Sequence, residues 1–541
     1  MCRSWFSFVF LICCAGAQAR EAVTAKHFLV AAAHPLAVEA GYEVLKRGGS
    51  AVDAAIAVQM MLGLVEPESS GIGGGAFLLY WSEKEKRLRS YDGRESAPAA
   101  ARPDRFLDKE NKPLSFNEAA VGGRSVGVPG VVRMLELAHR RHGKLRWADL
   151  FQDAIAAAEQ GFALSPRLRA QLEQDDFLRA DAAARQVYYE ADGRAKLAGA
   201  RIVNPAYGAT LRTLAREGAG ALYGGPIAAD LVRAVREHAK PGDLAAEDLA
   251  AYRALEREPV CAPYRRWRVC SMAPPSSGGV AVLQILGILE RAGFARAPPQ
   301  SEQALHLFSE AARLAYADRA RYLGDPDFID VPVKKLLSGR YLDERAKRIT
   351  ERSMRLAPAG DSEAPGTSHF SILDAEGNIV SMTTTVEASF GSRIMVRGFL
   401  LNNELTDFDF LPGRANSVAG GKRPRSSMAP TVVFEGGQPV LALGSPGGSM
   451  IINYVAKALV GVLDWRLDLQ AAVELPNFGS RNGPTLLEEA SGYERLRGAL
   501  ERRGHEIDTR PLPSGLHGIE RIPGGWRGAA DPRREGTAKG D

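Results

Sequence analysis

Residues 365–387, PGTSHFSILDAEGNIVSMTTTVE, constrain the fold more than any other stretch, because they specify a β-hairpin and its register. His369 to Leu373 and Ile379 to Val386 are strand-like runs, and DAEGN between them carries the Asp, Gly and Asn of a tight connection. A loop of Asp374 to Asn378 pairs Leu373 with Ile379, Ser371 with Ser381, His369 with Thr383, and Thr367 with Thr385. Two threonines therefore meet across the ladder. Thr367 follows Gly366 at the end of ERSMRLAPAGDSEAPG, which has the composition of an exposed, cleavable linker. Cleavage there would make Thr367 a chain N-terminus. Its α-amine, with a reference pKa of about 8, is the kind of base that turns a threonine hydroxyl into a nucleophile. Read alone, the same residues also suit a surface loop entering an ordinary hairpin.

A chain of 541 residues is long enough for several domains or for one large layered α/β unit. A net charge of +5 with scattered basic residues argues against nucleic acid as a partner: RRWR at 265–268 and KRPR at 422–425 have no regularly interleaved aromatics. The N-terminus reads as a secretory leader, with Arg3, the apolar run Trp5 to Ala15, and AQA at 17–19 before Arg20. Cleavage after Ala19 and a secreted or periplasmic protein are expected, and no later run is apolar enough to span a bilayer. Cys2, Cys13 and Cys14 fall in the leader. The remaining pair, Cys261 and Cys270, flanks APYRRWRV, which suits a tight hairpin closed by a disulfide; two buried thiols are the alternative.

Along the chain, His34 to Lys46 is helical in pattern, and Ser50 with Asp53 caps a second helix running to Leu64. SSGIGGGAFLLYW follows. Its glycines precede a strand, and Ala76 stands where a dinucleotide fingerprint needs glycine, so no nucleotide site is expected. Helices are expected at 147–160, 226–238, 279–292 and 303–322. His139 and His142 read as a solvated face, since HRRH has no acidic or cysteine neighbour to complete a metal site. After Thr367 the texture turns to strands and glycine turns through FLLNNELTDF, KRPRSSMAPTVVF and LALGSPGGSMII, before a helix at 453–461. Strands on either side of Thr367 are too few for separate sheets, which predicts one shared core.

Several polar groups beyond the hairpin complete a pattern: Glu387, the acidic pair Glu404 and Asp407, the hydroxyls of Ser426 and Ser427, and the backbone N–H groups of Gly447 and Gly448. Each alone is an ordinary loop or turn residue. As a set they offer carboxylates for an ammonium, hydroxyls for a carboxylate, and donors for an oxyanion, which is what an amino-acid head group at an acyl-transfer centre requires.

The chain resembles the γ-glutamyltransferase (glutathione hydrolase) family through HPLAVEAGYEVLKRGGSAVDAAIA, DGRESAP, PPSSGG, TSHFS, LNNELTDF, KRPRSSMAPT, GSPGGS and DPR at 531–533, spread over nearly the whole mature chain. The resemblance implies an α/β fold, the αββα four-layer sandwich of the N-terminal nucleophile hydrolase type. It also implies a precursor that cuts itself between Gly366 and Thr367 into a large subunit, 20–366, and a small one, 367–541. Thr367 would be the nucleophile, Thr385 its hydrogen-bonding partner, and Gly447 with Gly448 the oxyanion hole. Arg94, helped by Ser426 and Ser427, would hold the substrate α-carboxylate, and Glu404 and Asp407 the α-ammonium. No cofactor or metal is implied. The substrate would be glutathione or another γ-glutamyl compound, with water, an amino acid or a peptide as acceptor. Many relatives have asparagine where Glu387 stands, and many carry a lid loop for which residues 408–425 are too few, so an open, more negative site is expected. Two alternatives remain: a glutaryl or cephalosporin acylase of the same family, and an unprocessed binder of amino acids or peptides.

Overall fold

The computed structural model describes residues 22–354 and 365–541; the expected leader, and most of the expected linker before Gly366, lie outside these described residues. The hairpin has the register expected of it, with Leu373 opposite Ile379, His369 opposite Thr383 and Thr367 opposite Thr385. Its loop explains why. The Asp374 carboxylate accepts N–H bonds from Glu376 at 3.0 Å and Asn378 at 2.9 Å, and its second oxygen takes the Ala51 N–H at 2.9 Å. One side chain thus closes the turn and caps the neighbouring helix.

Before residue 355 the chain contributes β1 (Val23–Ala25), β2 (Leu29–Ala32), β3 (Gly75–Ser82), β4 (Arg87–Gly93), β5 (Leu255–Arg257), β6 (Val260–Tyr264) and β7 (Trp267–Ser271). After residue 364 it contributes β8 (Pro365–Leu373), β9 (Ile379–Ala388), β10 (Thr431–Glu435), β11 (Gln438–Gly444), β12 (His517–Ile522), β13 (Gly525–Ala530) and β14 (Thr537–Gly540). They assemble into two seven-stranded sheets, β14-β2-β8-β9-β3-β4-β5 and β1-β13-β12-β11-β10-β7-β6. Each sheet mixes strands from both sides of Thr367, as the shared core requires.

Three apolar clusters define four layers. Helices α1 (Pro35–Lys46), α2 (Ala51–Val65) and α3 (Val131–His142) pack on the first sheet through Phe370, Ile372, Val380 and Met382. Leu373, Ile379 and Trp81 meet Val432, Phe434 and Ile519 between the sheets. Helices α4 (Gly278–Arg291), α5 (Glu302–Tyr322) and α6 (Ile451–Leu463) cover the second sheet through Val269, Val433 and Leu443. Because strand side chains alternate, Thr367, His369 and Ser371 share the inter-sheet face with Leu373. The nucleophile candidate therefore lies at the end of β8, between the two sheets.

Local signals worked where short-range chemistry decides. Ser50 and Asp53 form a reciprocal capping box at the start of α2, and every residue of that helix is buried. Cys261 and Cys270, opposite each other in β6 and β7, are disulfide-bonded. Two expectations need correction. His139 and His142 are half-buried rather than solvated: His142 stacks on Tyr80 and hydrogen-bonds the Tyr91 hydroxyl at 2.7 Å, while His139 bonds the Leu145 carbonyl at 2.9 Å. FLLNNELTDF is mostly irregular, with a two-residue strand at Phe399–Leu400 and a 3-10 turn at Glu404–Asp407.

The glycine-rich loop has a packing function. A Cβ added to Gly74 would lie 2.0 Å from the Thr385 carbonyl oxygen. Gly74→Ala should therefore destabilise the protein by about 1–3 kcal/mol in urea unfolding. Gly220→Ala, where the nearest atom is Arg133 Nη1 at 4.0 Å, should stay within about 0.5 kcal/mol of the parent.

Candidate active site

At the open end of the hairpin the register slips by one residue: Gly366 pairs with Glu387 while Thr367 pairs with Thr385, so Val386 is the extra residue of a β-bulge. Glu387 consequently takes a left-handed conformation, φ 81°, uncommon for a side-chain-bearing residue. Hydrogen bonds to both its backbone and its carboxylate help hold it there. Its N–H donates to Thr385 Oγ1 at 2.8 Å, and Asn403 Nδ2 donates to its carboxylate at 2.5 Å.

Thr385 Oγ1 lies 3.1 Å from Thr367 Oγ1 and 2.8 Å from the Gly366 carbonyl oxygen. A carbonyl only accepts, so the single Thr385 hydroxyl proton goes to Gly366, and Thr367 donates to Thr385. The carbonyl polarised by Thr385 belongs to the peptide bond immediately before Thr367. Behind the bond, buried Arg534 donates to the Thr367 carbonyl oxygen at 2.9 Å. Gly366 is enclosed as well: an added Cβ would stand 2.5 Å from the Ala388 carbonyl and 2.7 Å from that of Glu68.

Arg94, Thr367, Thr385, Glu387, Glu404, Asp407, Ser426, Ser427 and Gly448 line one cavity of about 20 Å³, together with Met428 and Ile451. All of the side chains expected from the sequence thus come together, across more than 300 residues of separation between Arg94 and Asp407. Gly447 is buried next to Gly448, and neither N–H has a protein acceptor among the described residues. The expected open site is not seen in the uncut chain: Thr367 is 3% exposed, and the backbone before it continues β8 as far as Pro365.

Arg94 is 1% exposed and ion-paired to Glu404 through Nη1 and to Asp407 through Nη2; its Nε donates to the Pro424 carbonyl at 3.1 Å. Glu95 adds a further carboxylate 3.8 Å from Nη1. Burial is the largest influence on both glutamates, raising Glu95 to about 7 and Glu404 well above the carboxylate range despite the guanidinium.

Sequence reasoning missed the residues that hold these groups. Asn402 bonds Gly73 and Gly127 carbonyls at 2.7 and 2.9 Å, and Asn403 accepts the Ala388 N–H at 2.9 Å, so the NN of LNNELTDF welds the acidic turn to the hairpin. Ser277 N donates to the Ser426 carbonyl at 2.8 Å, which accounts for PPSSGG. Both signals sat inside motifs that carry the family resemblance, but their partners are remote in sequence. His306, Glu310 and His505 form the one grouping of metal-ligand types among the described residues. Their atoms are already engaged. Arg313 donates to Thr485 at 2.8 Å, Thr485 to His505, His505 to His306, and His306 to the Thr350 carbonyl, the last three at 2.7 Å. The imidazole nitrogens at 2.7 Å are closer than the roughly 3.3 Å that two ligands on one tetrahedral zinc require.

A buried nucleophile candidate between two sheets flanked by helices, with donors and a head-group pocket around it, defines an enzyme of the N-terminal nucleophile hydrolase class. The profile described as "Gamma-glutamyltranspeptidase" matches residues 37–541. The "Glutathione hydrolase proenzyme" of Bacillus subtilis is 37% identical over 540 residues, covering 95% of this chain and 92% of that protein. The "Acylase ACY 1 proenzyme" of a Pseudomonas strain is 36% identical over 533 residues, covering 96% and 94%. The crystal structure of cephalosporin acylase from Bacillus halodurans superposes with a TM-score of 0.86 at 28% identity, covering 96% of this chain and 97% of that one. The chain belongs to the gamma-glutamyltranspeptidase family.

A carboxyl whose value in the fold is about 7, against an ordinary 4.5, contributes stability that is fully present below about pH 4.5 and lost as pH rises through 7. Glu95→Gln stays neutral throughout. Relative to the parent it should gain stability between about pH 5 and pH 8 in urea unfolding; a pH-independent difference would mean Glu95 is not a buried acid.

Proposed function

We propose that this chain is an exported, self-processing γ-glutamyltransferase and glutathione hydrolase whose nucleophile is Thr367. The observation that carries the reading is the conjunction, around one cavity, of the Thr367–Thr385–Gly366 triangle with a guanidinium, carboxylates and paired hydroxyls. Export rests on the leader alone; no helix among the described residues is long and apolar enough to cross a membrane.

Maturation begins when Thr367 Oγ1 attacks the Gly366 carbonyl carbon. Thr385 stabilises the charge developing on that oxygen. The C–N bond breaks, the nitrogen takes the proton as the Thr367 α-amine, and the acyl group sits on Oγ1 as an ester. Water opens the ester, leaving residues 20–366 with a new carboxylate and residues 367–541 with a free Thr367. In turnover the same oxygen attacks the γ-carbonyl of the donor while the α-amine accepts its proton. Gly447 and Gly448 N–H groups receive the oxyanion. The leaving amine departs protonated, and water or an acceptor amine releases the γ-glutamyl group.

The head group is recognised by exchange. Arg94 and Asp407 form an ion pair lining the cavity. A zwitterion entering between them presents its carboxylate to Arg94, Ser426 and Ser427 and its ammonium to Asp407, Glu404 and Glu387, so one ion pair becomes two. This favours a γ-glutamyl over a glutaryl donor, because glutaryl brings a carboxylate without the ammonium into a pocket already rich in acids. The acylase relatives keep that second reading in the test.

Glutathione and γ-glutamyl anilide should be hydrolysed, with rate rising on addition of a dipeptide, and glutaryl anilide should be turned over at least about 10-fold less efficiently, for one ion pair lost. Preference for glutaryl would overturn the reading. Arg94→Lys keeps charge but loses the planar fork, so KM for γ-glutamyl donors should rise about 10-fold or more while maturation is retained. Thr385→Ala should slow maturation roughly 10- to 1,000-fold, with Thr385→Ser recovering much of it, as gel analysis over time would show.

A further inference from the structure

Around the cavity, three guanidiniums are neutralised by the protein itself: Arg94 by Glu404 and Asp407, Arg423 by Asp92, and Arg425 by Asp409. Arg319, near the end of α5, differs from them. Among the described residues no carboxylate pairs with it. Its Nη2 donates to Ser427 Oγ at 2.8 Å and its Nε to Ser277 Oγ at 2.8 Å. Ser277 in turn donates to the Ser426 carbonyl at 2.5 Å.

The direction of these bonds matters. A guanidinium only donates, so Ser427 Oγ must accept from Arg319, and its own proton has no protein acceptor among the described residues. Ser427 lines the cavity. A cation on its oxygen also makes the hydroxyl a stronger donor. Ser426 is set in the same sense, its Oγ accepting the Met428 N–H at 3.1 Å. Two hydroxyls are thereby committed as donors to an anion, and only the first carries uncancelled positive charge behind it.

We infer that Arg319 is a positioning residue for the carboxylate of the donor substrate, acting through Ser427 and not by touching the ligand. The inference rests on the functional reading above, and it gives the two arginines different roles. Arg94 exchanges partners with the head group, while Arg319 supplies charge the protein does not cancel. The planar fork is needed because one side chain must reach Ser277 and Ser427 together. A lysine, a single point of charge on a flexible stem, holds one of them.

The test is a double-mutant cycle on the mature enzyme with Arg319→Lys and Ser427→Ala, measuring kcat and KM for γ-glutamyl anilide. Arg319→Lys should raise KM about 10-fold, as for one charged hydrogen bond, and leave kcat within about 3-fold. In the Ser427→Ala background it should add less than about 2-fold, because the hydroxyl it acts on is gone. Arg319→Gln, which keeps an N–H without the charge, should raise KM at least as much. Unchanged KM in Arg319→Lys, equal effects in both backgrounds, or failure of both Arg319 variants to mature would overturn the inference. Glutaryl anilide carries the corresponding carboxylate without the ammonium, so the KM rise is expected with it too. An enzyme that prefers glutaryl donors but still shows the rise would defeat the γ-glutamyl reading and leave this inference standing.

Discussion

The register of one hairpin governs the chemistry of the whole molecule. Asp374 closes its loop and caps α2, so pairing is set at the end of the hairpin remote from Thr367. From there the ladder counts residue for residue to Thr367 opposite Thr385. A slip of one residue would put Thr385 on the helix-facing side and remove it from the carbonyl of Gly366. The slip does occur, one position later and in a controlled form: the bulge at Val386 turns Glu387 into the cavity and ends regular pairing beside the Gly366–Thr367 bond.

The second constraint is electrostatic. Several carboxylates are buried around a single guanidinium, and burial itself raises Glu95 and Glu404 despite the Arg94 charge. On the proposed reading the ammonium of a zwitterionic head group meets this acidic cluster, while its carboxylate meets Ser427, which accepts a bond from Arg319.

Much of this was legible in the sequence because it depends on short-range rules. The loop DAEGN set the hairpin register, Ser50 and Asp53 announced a helix start, and spacing placed Cys261 opposite Cys270. The candidate head-group residues came from the family resemblance, and the cavity gathers those residues. What escaped was set by contacts between distant segments. Asn402, Asn403, Arg319 and Arg534 are unremarkable as single letters, and only packing shows the carbonyls and hydroxyls they hold. The direction of the Thr385 bond needed the Gly366 carbonyl in place. Openness was misjudged because a short 408–425 connection says nothing about how deeply the uncut chain buries Thr367.

The central claim is that Thr367 cuts the bond before itself and then acts from the new N-terminus. Intact mass and N-terminal sequencing of purified wild-type protein and Thr367→Ala test it most directly. The wild type should yield two chains, the smaller beginning at Thr367, and the alanine variant should remain one chain under the same conditions. Scission of the alanine variant between residues 366 and 367, or a wild-type fragment beginning elsewhere, would contradict it.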